Sequence, residues 1–189
     1  KGVQGAVASL GREGGFLNNA AVRIPMPEGL AKVEKALRML GQDKYADQFV
    51  TTLNQAAEKA VPEAAGILAD TLRDMSLEDA RAILKGPDDA ATAYFRAKSE
   101  ARLRERFKPL VSQATDRAGV TSAYKTMVKK AGPLVNMLGA GNEDLDGYVT
   151  RKSLDGLFLM VAEEEKAIRA NPVARTTDLL KKVFGGQAK

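Results

Sequence analysis

The run Leu157-Phe158-Leu159-Met160-Val161-Ala162 is apolar on every side of a helix. An element apolar all round has to be wrapped by others, so this run is expected in the middle of the fold. It belongs to a long helical pattern beginning at Asp146, which meets an Asn171-Pro172 break before a short closing helix to Phe184. Directly after the apolar run comes Glu163-Glu164-Glu165-Lys166, which sets charge against the core. On a helical wheel the inward stripe runs Leu154, Phe158, Val161, Glu165, Ile168, with Glu164 at its margin and Glu163 opposite. A carboxylate on that stripe is costly unless its oxygens find donors, and a guanidinium supplies two at once. Glu165 is therefore expected to be buried in a structural pair. Arg175 is the first choice of partner, then Arg23, then Arg169.

The remaining chain reads as helices joined by tight breaks. Lys1 to Leu10 is a weak helix diluted by Gly2 and Gly5. Gly11 to Pro27 cannot be regular helix: Gly14-Gly15 and Ile24-Pro25-Met26-Pro27 force an irregular or extended path, with at most a token strand around Val22 to Ile24. Yet Phe16, Leu17, Val22, Ile24 and Met26 are apolar, so the segment should lie against the body. From Glu28 a stripe of Leu30, Val33, Leu37 and Leu40 runs to Gly41. Tyr45 to Ala60 lines a second helix, and Pro62 starts a third. Ser76 opens a short helix ending near Gly86. Pro87-Asp88-Asp89 opens a long one, expected to kink near Pro109 and to end at Gly119. Another runs from Thr121 to Gly132-Pro133, and a Gly-rich loop leads to Asp144. The expected fold is all-α: one domain over residues 1–189, an irregular or orthogonal bundle of about ten helices around a central buried helix.

What the chain lacks narrows its chemistry. It has no Cys and no His, which excludes disulfides, thiolate nucleophiles, Ser-His-Asp and Cys-His arrangements and imidazole-ligated metals. Any reaction would have to run on carboxylates, Lys, Tyr, Ser or Arg. At 189 residues and 44% hydrophobic content the chain can bury a sizeable core, and its longest apolar run is far too short to span a bilayer. A net charge of +5 suits solubility and does not of itself imply nucleic acid or anionic lipid. The sequence opens at Lys1 inside a helical pattern, so an upstream segment, such as a signal peptide, is expected to have been removed.

Several segments together resemble a family of uncharacterised bacterial proteins, domain of unknown function 4197. They are Gly15-Phe16-Leu17-Asn18-Asn19, Val22-Arg23-Ile24-Pro25, Val33-Glu34-Lys35-Ala36-Leu37-Arg38, Tyr148-Val149-Thr150 and Leu154-Asp155-Gly156-Leu157-Phe158. The closing run from Ala162 through Ile168-Arg169, Asn171-Pro172 and Ala174-Arg175-Thr176-Thr177 to Leu180-Lys181-Lys182-Val183-Phe184-Gly185 is similar to that family's most distinctive motif. The resemblance covers nearly the whole chain. It implies a helical protein made with an export or lipoprotein signal, hence a periplasmic location, and it transfers no activity and no functional residue.

Four constellations deserve weighing. Asn142, Asp144 and Asp146 fall at the first, third and fifth positions of a calcium loop, with Gly147 at the turn. Ser153 stands where the bidentate carboxylate belongs, so an acidic first turn favoured by the helix dipole explains the same residues. Lys98, Arg102 and Arg106 form one basic row that a phosphate backbone would accept. Glu100 and Glu105 interrupt the segment and no aromatics interleave, so nucleic acid is disfavoured against a solvated face. Ser122-Ala123-Tyr124-Lys125 spells Ser-x-x-Lys without its Ser-Asp-Asn and Lys-Thr-Gly companions and reads as coincidence. Glu163, Glu164 and Glu165 could supply paired carboxylates, but consecutive helical residues diverge by about 100°. The functional expectation is a non-catalytic module binding an unknown protein or a small apolar ligand, with no cofactor. The alternatives are a carboxylate enzyme near Glu164 and Glu165, or weak calcium binding.

Overall fold

A computed structural model of the chain describes residues 2–132 and 144–170. They form eight α-helices: α1 (Gly2–Leu10), α2 (Ala31–Met39), α3 (Asp43–Ala60), α4 (Ala64–Arg73), α5 (Leu77–Lys85), α6 (Ala90–Ala118), α7 (Val120–Ala131) and α8 (Leu145–Ala170). Single 3-10 turns span Glu28–Leu30 and Val61–Glu63, and no strand occurs among the described residues. The all-α class is as expected, with eight α-helices among the described residues against about ten expected over the whole chain. Pro62 sits in the 3-10 turn that runs straight from α3 into α4. Pro109 lies inside α6 without ending it. The closing helix expected after Asn171 lies outside the described residues. No helix among them is long and apolar enough to cross a membrane.

The middle of the bundle belongs to α3, not to α8. α3 packs against α2, α6, α7 and α8. It buries Ala46, Phe49, Val50, Leu53, Ala56 and Ala57, whose small residues let neighbouring helices come close. α8 packs mainly on α6 and α1 and reaches α3 by one edge. Leu157, Phe158 and Val161 are buried, whereas Leu159 is 42% exposed and Met160 half-buried. Among the described residues the all-round apolar run is therefore covered on one side. One or two apolar side chains left in water cost too little to force a helix to the centre.

Between α1 and α2 the chain wraps the bundle without regular structure, as the Gly and Pro residues require. Phe16, Val22, Ile24 and Met26 are buried there, with Phe16 and Ile24 wholly inaccessible. Buried backbone outside a helix must find partners elsewhere. α3 supplies them. The carboxylate of Glu58, itself buried, accepts from the backbone N–H groups of Phe16 (3.0 Å) and Leu17 (3.1 Å). Asn54 accepts from the Ile24 N–H (2.8 Å), and its amide donates to the carbonyls of Ile24 (2.9 Å) and Val50 (2.8 Å). From the other side the Tyr148 hydroxyl of α8 donates to the Pro25 carbonyl (3.0 Å).

One glycine position is set by this packing. A Cβ on Gly156 would stand 2.9 Å from the Phe16 ring and 3.2 Å from the Val22 Cβ, so α8 can meet the wrapped segment only without a side chain there. Gly156→Ala should therefore destabilise the protein by about 1–2 kcal/mol. Overpacking against a fixed ring costs about 1–3 kcal/mol and outweighs the gain of up to about 1 kcal/mol in helix propensity. Chemical denaturation checks this, and a more stable variant would contradict it. The glycines that dilute α1 lie where it crosses α8: a Cβ on Gly2 or Gly5 would meet the Glu164 side chain at 3.4 or 3.2 Å.

Candidate functional site

The acidic triplet resolves into three separate environments. Glu163 is exposed. Glu164 lies over α1, its carboxyl against Gly5. Glu165 turns the other way, with its side chain only 10% exposed, and caps the first turn of α6. One oxygen accepts from the Ala91 N–H (2.9 Å), the other from the Thr92 N–H and hydroxyl (2.8 Å each). Arg169, one turn along α8, donates to it through Nε (3.0 Å) and Nη2 (2.8 Å), and Nη2 also reaches the Ile83 carbonyl of α5 (2.9 Å). The first N–H groups of a helix have no partner within it and attract negative charge. Asp89, the residue at the cap position of α6, makes no such bond with its side chain, so Glu165 does it from 73 and 74 residues away. The partner in the described chain is thus Arg169, the third choice from sequence. Arg23 is exposed, and Arg175 lies outside the described residues.

Glu164 and Glu165 therefore do not converge on one space. A carboxylate holding three α6 donors and a guanidinium has no free lone pair aimed at a substrate. The acidic turn at the start of α8 is similarly occupied. Asp144 accepts from the Gly147 N–H (2.9 Å) and Asp146 from the Thr115 hydroxyl (2.6 Å), while Asn142 lies outside the described residues. Ser153, the twelfth position of the candidate calcium loop, is wholly buried within α8. Among the described residues no three acidic groups gather as a metal site would need.

The basic row of α6 is partly neutralised at the α4 edge. Arg102 donates to Asp70 (3.2 Å) and lies 3.9 Å from Asp74, and Lys98 sits 5.9 Å from the Tyr94 ring centre. Ser122 and Lys125 are exposed beside Thr126 and Lys129 in a shallow, polar depression of about 430 Å³.

A groove of about 1010 Å³ runs along one exposed face of α6. Ala97, Ala101 and Pro109 contribute its apolar surface, and Ser112 and Asp146 its far end. A charged ladder forms the wall toward α8. Arg96 donates to Asp155 (2.7 Å) and to Glu100 (3.2 Å), and Arg104 donates to the other oxygen of Glu100 (3.0 Å). The guanidinium of Arg96 also stands 5.5 Å from the Phe158 ring centre. Its pKa is raised, chiefly by the Asp155 hydrogen bond and against the effect of burial, so it stays charged at any working pH. A family model described as a protein of unknown function, DUF4197, matches residues 1–185. The chain belongs to that family. No curated protein and no solved structure matches it. For this DUF4197 chain, reading from sequence did not find the groove. Ala97 and Ala101 carry no chemistry, and the wall exists only because α8 brings Asp155 to Arg96. Chemically the site offers an apolar floor beside the paired Arg96-Glu100-Arg104 ladder, with Glu105 and Lys108 also on its rim. It suits recognition better than proton transfer.

Proposed function

We propose that this DUF4197 chain is a single-domain, periplasmic binding module that takes a small apolar ligand or an apolar segment of a protein partner in the groove along α6. The observation that carries the reading is the groove itself: an accessible floor of Ala97, Ala101 and Pro109 beside charges already engaged with one another. A floor of small side chains leaves room for a guest, and walls with satisfied charges need not be desolvated unpaired. The periplasmic location rests on the family resemblance. The full occupation of the Glu165 carboxylate tells against the carboxylate enzyme. The bonds of Asp144 and Asp146 favour a helix start over a calcium loop, and the engagement of Arg102 with Asp70 weakens the case for nucleic acid.

An apolar fluorescent probe, 1-anilinonaphthalene-8-sulfonate, should bind saturably to the folded protein. Ala101→Trp fills the groove from an exposed position and should abolish that signal with an unchanged melting temperature. Retention of full probe binding by the folded Ala101→Trp protein would refute the assignment.

A further inference from the structure

The corner between α2 and α3 presents apolar side chains to solvent on a fixed support. α2 runs out at Met39, 79% exposed, and Leu40, 56% exposed, two neighbours at the apex of the turn. A single exposed apolar residue needs no explanation, whereas an adjacent pair at an apex marks a contact surface. The turn beneath the pair is closed by its own backbone. Gly41 takes a left-handed conformation with φ of 65°, and the Gln42 N–H donates to the Leu37 carbonyl (2.8 Å). Arg38 then ties the two helices together. Its guanidinium donates to Glu34 on α2 (2.7 Å) and to Asp43 (3.2 Å) and Asp47 (2.9 Å) on α3. Met39 and Leu40 cannot fold back onto the body without breaking these bonds.

The charges around the corner sort by sign. Lys32 and Lys35 lie seven and four residues before Met39, hence on its face of α2, and both are exposed. Lys44 of α3 and Lys130 of α7 stand 5.0 and 5.3 Å from the ring centre of the half-buried Tyr45. The acids of the corner are taken up elsewhere, since Glu34, Asp43 and Asp47 all pair with Arg38. α7 carries no acid, its other charges being Lys125 and Lys129, and Glu28 stands beyond the opposite end of α2. The corner therefore keeps a net positive charge on four lysines that meet no acid among the described residues. An anionic bilayer surface has the matching layers. Apolar side chains enter its acyl boundary, tyrosine suits the headgroup level, and lysines reach the phosphates with their stems along the apolar zone. A folded protein partner would need about 800 Å² from each side, and two side chains on a convex tip supply far less.

We propose that the α2–α3 corner is a membrane-contact site, which sets Met39 and Leu40 into the surface of an anionic bilayer while Lys32, Lys35, Lys44 and Lys130 face its phosphates. It shares no residue with the groove on α6. The chain has no Trp, so a single introduced Trp reports its own surroundings. On vesicles of phosphatidylcholine with about 30% phosphatidylglycerol, the emission of Leu40→Trp should shift to the blue and be quenched by brominated acyl chains. Leu77→Trp, at an 80% exposed leucine on α5, should show neither change. Pure phosphatidylcholine vesicles should bind at least about tenfold less. In co-sedimentation, Met39→Asp with Leu40→Asp, and separately Lys35→Glu with Lys44→Glu, should each lower partition about tenfold at an unchanged melting temperature. No sedimentation with the anionic vesicles, sedimentation unaffected by either double change, or an equal blue shift at Leu77 would overturn the proposal. So would a blue shift at Leu40 that grows with protein concentration in the absence of vesicles, which would make a second copy the occupant.

Discussion

Replacing Glu165 by Ala should cost roughly 3–5 kcal/mol of stability, against little for Glu163→Ala on the exposed side of the same helix. The loss has two parts. Ala91 and Thr92 would lose the acceptor that satisfies the start of α6, the longest described helix, and Arg169 would lose the carboxylate it meets in a nearly closed site. Removing one member of a buried ion pair is worse than removing both, so the double change Glu165→Ala with Arg169→Met should recover part of the deficit. Amide exchange separates this from a general loss of packing: the first turn of α6 should open first, and α5 should loosen with it through Arg169. Similar, small losses for Glu165→Ala and Glu163→Ala in a denaturation series would show that the carboxylate is not a structural cap.

Glu58→Ala should cost roughly 2–5 kcal/mol, because two backbone N–H groups, of which that of Phe16 is buried, lose the acceptor they have among the described residues. Glu58→Gln keeps a carbonyl oxygen for one or both donors but forfeits the charge, and should lose about half as much. Phe16 is wholly buried under α8 at Gly156, so the damage should spread along the wrapped segment rather than stop at the turn. Asn54→Ala, at the other anchor, should detach Ile24 while leaving the Phe16 turn protected. Exchange rates at Phe16, Leu17 and Ile24, followed separately in the two variants, test this division. If Glu58→Ala melts like the unaltered protein, the segment is held by apolar burial alone.

Much of this architecture is legible along the chain because it rests on local free energies. Gly119 adopts a left-handed conformation where α6 stops, with φ of 75°, and Gly41 does the same after α2, with φ of 65°. The Ser76 cap, the Pro62 start and the irregular path from Gly11 to Pro27 are likewise set by residues within a few positions of one another. The inward placement of Glu165 also followed from period alone, as did the need for an arginine beside it. On an isolated helical wheel Arg169 leans toward solvent. The site is closed instead by α5 and the start of α6, which bring the Ile83 carbonyl and two N–H groups over that edge.

What only the tertiary structure decided is every pairing whose partners are far apart in sequence. No local signal tells Glu58 to serve Phe16, Asn54 to hold Ile24, or Glu165 to cap a helix that has Asp89 at its own start. Nor does composition say that α3 rather than α8 takes the centre. That choice compares the whole apolar stripe of each helix against the surfaces its neighbours can offer. Hydrophobic period decides which face of a helix turns inward, and capping decides where the helix begins and ends, since both act over one or two turns. The identity of the group across the interface depends on how eight such faces pack at once. That is a property of the assembled volume, and no stretch of this chain carries it alone.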